Sequence, residues 1–306
     1  EHLMFKGSAN VPPGELSRRV RALGGNDNAF TTQDYTAYFQ NIAVKNLRAV
    51  MTMEADRMKG ILMPPEEFAS EHKVILEERR QNTESDPHAY FGEQLRYALF
   101  PAHPYATPVI GWKSEIEKLT RDDAMAFYKT WYAPNNAILV VAGDITAAAL
   151  KPLAEEIYGP IPARPVPKTA FPDVAEFPGE ARYVMREPSI EQPMVFWMAR
   201  APGGSQNKQD SLALQVLMEI MSGNATTRLY KSLVVEQKLA TSASMGYSEQ
   251  SRDLGTISAS LVPASGVAPE KLEAAFYAEL ERVGRDGVSD SELSEAKTRM
   301  KDSAAY

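Results

Sequence analysis

The chain has 306 residues, of which 44% are hydrophobic, and a formal net charge of −7. This length corresponds to about two domains, and the hydrophobic share is sufficient for two ordinary cores. The acidic balance and the lack of a long basic tract argue against nucleic-acid binding, and no apolar run in the sequence is long enough to span a bilayer. The sequence contains no cysteine, which excludes disulfides and thiol nucleophiles and fits a periplasmic protein.

The first 160 residues predict strands and helices in alternation. Apolar and polar side chains alternate over 31–42, and a compact apolar run covers 137–142, so we expect a strand at each place. Helical spacing and N-terminal cap residues predict the helices between them: 44–60, 64–84, 88–99, and two short helices beginning at Ser114 and Thr120.

Residues 159–179 are the predicted connector, because they contain six prolines, which neither a helix nor a central strand accommodates. A similar order of elements recurs after it. We expect strands over 182–186 and 194–200, helices over 208–221, 227–239 and 269–283, and a hairpin over 242–262. The predicted organisation is therefore a first domain over 1–160, a linker over 161–180 and a second domain over 181–306.

Glu1, His2, Glu71 and Glu78 carry the main chemical signal. Histidine and glutamate are ligands that zinc takes in hydrolases, where a fourth position is left for water. A glutamate directly before a metal-bound histidine is placed to act on that water as a general base. Glu71 and Glu78 are seven residues apart, almost two helical turns, and therefore share one helix face. The alternative is an ordinary solvated helix rich in charged residues.

Several motifs in the right order resemble the insulinase and pitrilysin family of zinc peptidases, the inverzincins, and in particular a zinc-bearing subunit similar to the processing-peptidase beta type. Residues 1–8 resemble the second half of the family's His-x-x-Glu-His helix and its glycine stop; the first histidine of that motif would lie three residues before Glu1. The other similar segments are 28–38, 71–78, 103–105, 108–111 and 132–144.

The resemblance implies an α+β fold with two homologous domains, each an antiparallel sheet backed by helices, and a sequence truncated at both ends. It implies that His2 and Glu78 are zinc ligands together with the missing upstream histidine. Glu1 would be the general base, and Glu71 would orient a ligand. It also implies that a peptide substrate adds as a strand beside Asn28 and Ala29, through backbone hydrogen bonds. The alternative for these two residues is a strand with ordinary cross-strand pairs.

One departure from the family pattern concerns an arginine and a tyrosine that reach the active site from the second half of complete members. Alignment places Val234 and Thr241 at those positions, and neither side chain can replace them. Arg228 and Tyr230 are close in sequence, but they lie on different helix faces and are interpreted as structural.

Two functions are compatible with the absence of this arginine and tyrosine. The first is a zinc metalloendopeptidase subunit that cleaves peptides or unfolded segments in a closed chamber, with a homologous partner supplying the arginine and tyrosine in a heterodimer, or else as a homodimer. The second is a non-catalytic peptide-binding or assembly subunit. The set of Glu1, His2, Glu71 and Glu78 favours the first. We expect a bacterial periplasmic location, although a signal peptide is not observable in a chain that begins inside a motif.

Overall fold

The computed structural model describes residues 1–173 and 179–305. The chain forms two compact units: Glu1–Tyr90 with Thr107–Pro172, and Phe91–Ala106 with Asp173–Tyr306. Each unit combines helices with a small antiparallel sheet, so the predicted α+β class is confirmed. Among the described residues, no helix has both the length and the apolar character needed to cross a membrane.

The first unit has a hairpin of two strands, surrounded in sequence by helices. A 3₁₀ turn, His2–Phe5, precedes them, and a π-helical turn, Arg80–Glu84, extends the third helix. The elements are α1 (Glu15–Ala22), β1 (Asn26–Thr31), β2 (Thr36–Asn41), α2 (Leu47–Lys59), α3 (Pro65–Arg79), α4 (Pro87–Leu99), α5 (Lys113–Ile116), α6 (Arg121–Trp131) and α7 (Ala147–Tyr158). Helix α4 begins in the first unit and continues into the second.

The helices predicted over 44–60, 64–84 and 88–99 are confirmed as α2, α3 and α4. Thr120 caps α6 in a reciprocal arrangement with Asp123, also as predicted. Ser114 is not a cap, because α5 already begins at Lys113 with Trp112 at the N-cap position.

The prediction of one strand over 31–42 was wrong, because a turn divides it into the end of β1 and all of β2. The Thr32 hydroxyl oxygen accepts hydrogen bonds from the backbone N–H groups of Asp34 and Tyr35. A threonine side chain that bonds to nearby backbone in this way stabilises a turn in place of a continuing strand.

The strand predicted over 137–142 is also absent from the described structure, and so is the one over 182–186. Ile138 is 91% exposed and Val184 is 67% exposed. A strand exists only when a neighbour pairs with its backbone N–H and C=O groups, and none does so here among the described residues. Both segments have the apolar composition of strands, but without a paired neighbour they do not form strands.

Two buried clusters form the core of the first unit. One joins α1 to α2 through Val20 and Val50. The other packs Met4 of the 3₁₀ turn against Ile61, Met63 and Tyr128. Burial of Met4 fixes the turn that carries His2.

Asp56 of α2 fastens the loop that follows the 3₁₀ turn. Its carboxylate accepts hydrogen bonds from Ser8 Oγ (2.6 Å) and from Asn10 N (2.9 Å) and Nδ2 (2.6 Å). Gly7, directly before this loop, has a φ of 95°, and a Cβ there would lie 2.9 Å from Pro13 Cδ. Burial alone would raise the pKa of Asp56, but the hydrogen bonds from Ser8 and Asn10 outweigh it and hold that pKa below its usual range.

We expect Asp56→Ala to lower the free energy of unfolding by about 3 kcal/mol near neutral pH, because the buried Ser8 hydroxyl and the two Asn10 donors lose their acceptor. A carboxyl with a depressed folded pKa stabilises the fold above its unfolded pKa, about 3.9, and this stabilisation is lost as the pH falls through the folded value. The difference between wild type and variant in urea denaturation should therefore shrink below about pH 4. Asp122→Ala, at a side chain that is 96% exposed, is the control. Equal stability of both variants would contradict this role.

The second unit consists of a three-stranded antiparallel sheet in the order β3-β5-β4, with helices packed against it. Its elements after α4 are β3 (Val195–Ala201), α8 (Lys208–Ser222), β4 (Ala240–Ser248), β5 (Gly255–Pro263), α9 (Pro269–Asp286) and α10 (Asp290–Ala304). The predicted strand over 194–200, the helices over 208–221 and 269–283 and the hairpin over 242–262 are confirmed. The helix predicted over 227–239 is a shorter π-helical segment, Tyr230–Glu236.

Residues 91–106 belong to the second unit although they come early in the chain. His103 is buried, and its Nε2 lies 2.8 Å from Asp253 Oδ2. Tyr105 N donates to His103 Nδ1 (3.1 Å), and Asp253 N donates to the Tyr105 hydroxyl (3.1 Å). These three contacts hold residues 91–106 to the loop before β5.

The described part of the predicted linker contains neither helix nor strand over 161–173 and 179–180. Residues 174–178, including Pro178, lie outside the described residues. The boundaries of the two predicted domains and of the linker stay a prediction.

Candidate active site

Three of the four predicted catalytic and metal residues meet in the first unit. The 3₁₀ turn presents His2, and α3 presents Glu71 and Glu78 from one face. His2 Nδ1 lies 2.9 Å from Glu71 Oε2, and His2 Nε2 lies 3.5 Å from Glu78 Oε2. The seven-residue spacing therefore brings both carboxylates to the two ring nitrogens of one histidine.

Lys6 binds the second oxygen of the Glu71 carboxylate. Its Nζ lies 2.7 Å from Glu71 Oε1 and 3.2 Å from Glu67 Oε2. Burial opposes ionisation of Glu71, but the hydrogen bonds from Lys6 and His2 outweigh it and keep the pKa of Glu71 below its usual value. The same contact with Glu71 raises the pKa of Lys6. Glu71 is thus an ionised acceptor between two donors.

His2 Nδ1 faces the carboxylate of Glu71, and His2 Nε2 faces that of Glu78. An ionised carboxylate only accepts hydrogen bonds, so Nδ1 is the donor in the contact with Glu71. In a neutral imidazole, Nε2 would then be the nitrogen that offers a lone pair to a metal ion. A carboxylate that orients a histidine in this way is the usual support of a metal-binding imidazole.

The donor set fits zinc in type and in spacing. Two tetrahedral ligands, each about 2.1 Å from a zinc ion, lie about 3.4 Å apart. The measured 3.5 Å between His2 Nε2 and Glu78 Oε2 agrees with that separation. Within residues 1–173 and 179–305, no group of three or more His, Cys, Asp or Glu side chains is arranged to hold a metal. The described residues therefore offer one pair of candidate ligands here, where a catalytic zinc site has three.

Glu1 is exposed and contacts the β hairpin. Its Oε2 accepts a hydrogen bond of 2.5 Å from Thr31 Oγ1, at the end of β1. Sequence reasoning missed both Thr31 and Lys6. Both lie inside segments that were singled out, 28–38 and 1–8, but their contacts reach across the chain and leave no periodic pattern.

Asn28 and Ala29 lie in the middle of β1, paired with Phe39 and Tyr38 of β2. In the described structure β1 has a strand on one side only. On this strand Ala29 N donates to the side chain of Asn28 (2.9 Å). Among the described residues β1 is therefore an edge strand, whose Ala29 N–H is bonded to the Asn28 side chain.

Arg228 has a structural position in the second unit. It binds Glu292 through two nitrogens (2.5 and 2.7 Å) and donates to the Gly287 carbonyl (3.0 Å). Val234 packs against the core of this unit, and the Thr241 hydroxyl donates to the Val262 carbonyl (3.4 Å). These contacts agree with the structural interpretation of Arg228.

Two family models match the chain in succession. The model described as "Insulinase (Peptidase family M16)" matches residues 1–112, and the model described as "Peptidase M16 inactive domain" matches residues 118–300. The chain therefore belongs to peptidase family M16.

Curated relatives include both proteases and a respiratory subunit. The zinc protease PqqE of Helicobacter pylori is 27% identical over 309 residues, which cover 98% of this chain and 68% of the relative. Cytochrome b-c1 complex subunit 1 of Rattus norvegicus is 28% identical over 224 residues, which cover 72% of this chain and 45% of the relative.

Solved structures share the fold. A protease from Helicobacter pylori matches with a TM-score of 0.86 and 24% identity, over 100% of this chain and 74% of the other. The first half of the periplasmic protease PqqL from Escherichia coli matches with a TM-score of 0.77 and 20% identity, over 98% of this chain and 65% of the other.

We expect Glu71→Gln in the full-length protein to weaken zinc binding by about 10-fold to 100-fold, because loss of a carboxylate behind a ligand typically has this effect. Zinc affinity would be measured by competition with a chromophoric chelator. Glu77→Gln on the same helix is the control, since Glu77 binds Arg80 and Gln81. Unchanged affinity in Glu71→Gln would show that His2 does not depend on this contact.

Proposed function

We propose that this chain is the zinc-bearing part of a metalloendopeptidase that hydrolyses peptides or unfolded segments. The observation that carries the proposal is His2, with Nδ1 held by Glu71 and Nε2 facing Glu78 at 3.5 Å. Membership of peptidase family M16, and relatives named as zinc proteases, support the same chemistry.

The proposed roles come from the family resemblance, and the positions of the side chains support them. His2 and Glu78 hold zinc, and Glu71 keeps the imidazole oriented. Zinc, when bound, acts as a Lewis acid and makes water acidic enough to react near neutral pH. Glu1 accepts the proton from the attacking water and later donates it to the departing amine. The substrate lies along β1 at Asn28 and Ala29, held by backbone hydrogen bonds.

The proposed organisation has a zinc-bearing domain over 1–160, a linker over 161–180 and a second homologous domain over 181–306. Hydrolysis in a closed chamber belongs to the proposal and comes from the family resemblance. A chamber admits peptides and unfolded segments and excludes intact globular proteins. The match of 118–300 to an M16 inactive domain supports a second half that does not carry the metal.

A homologous partner subunit is proposed to supply the arginine and tyrosine that Val234 and Thr241 do not provide. A heterodimer is the favoured assembly, with a homodimer as the other possibility. We propose a periplasmic location, which is supported by the periplasmic protease PqqL of Escherichia coli among the similar structures.

A non-catalytic binding or assembly subunit is the second candidate. The specific observation in its favour is the relationship to cytochrome b-c1 complex subunit 1, which is named as part of a larger complex. The absence of a suitable arginine and tyrosine at 234 and 241 is compatible with both candidates.

We expect Glu1→Gln in the full-length protein to abolish peptide hydrolysis while zinc stays bound, because glutamine cannot accept the proton. The loss should be at least about 100-fold, the lower end of general-base contributions. Initial rates on a fluorogenic peptide and metal content by atomic emission check it. Glu66→Gln, an exposed position in the first turn of α3, is the control. Retained activity in Glu1→Gln would remove Glu1 from the mechanism.

We expect the full-length protein to hydrolyse peptides only when it is mixed with the homologous protein encoded beside it. The arginine and tyrosine would then act in trans. Stoichiometric zinc, with no hydrolysis alone or in the mixture, would favour the binding-subunit candidate. Full activity of the protein alone would show that no partner is needed.

A further inference from the structure

The hairpin β1–β2 makes a contact with Glu1 that the roles proposed above do not use. Thr31 Oγ1 donates a hydrogen bond of 2.5 Å to Glu1 Oε2, across 30 residues of sequence. Thr31 Oγ1 also lies 3.2 Å from Thr36 Oγ1. Thr31 and Thr36 are paired residues at the end of the hairpin. Their two hydroxyls and the Glu1 carboxylate therefore form a row of two consecutive hydrogen bonds.

The contact with Glu1 sets the direction of the second hydrogen bond. The Thr31 hydroxyl has a single proton, and it is used in the bond to Glu1 Oε2. The lone pairs of Thr31 Oγ1 then accept from Thr36, which becomes the donor. Hydrogen bonds in series polarise one another, and the Thr36 contact therefore strengthens the one on Glu1.

The hairpin holds these hydroxyls in place. Threonine is branched at Cβ and has restricted χ1 freedom, so the position of Oγ1 follows the strand backbone. The turn between the strands is fixed by the side chain of Thr32, which accepts from Asp34 N (3.2 Å) and Tyr35 N (3.1 Å). Glu1, in contrast, has a long and exposed side chain with several accessible rotamers. A contact with another residue is needed to favour one of them.

We propose that Thr31 is a positioning residue that aims the Glu1 carboxylate, and that Thr36 supports it from the second strand. This inference rests on the proposed role of Glu1 as general base. A base must lie within hydrogen-bond reach of the proton that it abstracts, and a displacement of about 1 Å can reduce the rate about 100-fold. The strand that is proposed to bind substrate thus also orients the group that cleaves it.

Thr31→Val tests the proposal, because valine keeps the shape and strand preference of threonine and removes only the hydroxyl. In the full-length protein, mixed with the homologous protein encoded beside it, we expect kcat to fall about 10-fold to 100-fold, with KM changed less than about twofold and zinc content unchanged. Thr31→Ser should restore most of kcat, since it returns the donor. Thr36→Val should have a smaller effect of the same kind.

Thr52→Val is the matched control, because the Thr52 hydroxyl bonds to the Arg48 carbonyl of its own helix (2.8 Å). A purely structural role of Thr31 would lower the melting temperature and leave kcat per folded molecule unchanged. A wild-type kcat in Thr31→Val, or failure of Thr31→Ser to restore it, would overturn the proposal while leaving the proposed peptidase function intact.

Crystal structures of wild type and Thr31→Val give a readout that does not need activity. We expect the Glu1 carboxylate to be ordered against Thr31 in the wild type and to leave this position in the variant. If the wild type proved inactive both alone and with the homologous protein encoded beside it, the proposed function would fail, and the position of Glu1 in the two structures would still decide whether Thr31 holds it. An unchanged Glu1 position in the variant counts against the proposal.

Discussion

The hydrogen bond between His2 Nδ1 and Glu71 is the interaction on which the candidate site depends. It makes Nδ1 the donor to the ionised carboxylate of Glu71 and leaves Nε2 facing Glu78. Lys6 maintains that ionisation. An imidazole that is held by a carboxylate at one nitrogen has its other nitrogen oriented, which is the arrangement that metal binding requires.

The sequence was sufficient to predict the α+β class and the long helices, because apolar spacing and caps act locally, as Thr120 shows in α6. It was also sufficient to place Glu71 and Glu78 on one face. That face meets His2 through the fold, a result that the motif resemblance anticipated and periodicity alone could not have supplied.

The wrong predictions have a common physical origin. They depend on contacts between residues that are distant in sequence or on side-chain bonds that a pattern of apolar residues does not indicate. The apolar run at 137–142 has strand composition, but a strand requires pairing with a neighbour. The alternation over 31–42 hides a turn that the Thr32 side chain stabilises. Thr31 and Lys6 look like ordinary polar positions until the chain brings Glu1 and Glu71 to them.

The membership of residues 91–106 in the second unit has a consequence for biosynthesis. His103 meets Asp253, which is 150 residues later in the chain. At ribosomal rates of about 5–20 residues per second, the segment is complete roughly 8 to 30 s before that acidic partner is translated. During this interval the buried His103 of the finished protein lacks its carboxylate partner. The segment can therefore reach its final contacts only after most of the second unit has been synthesised.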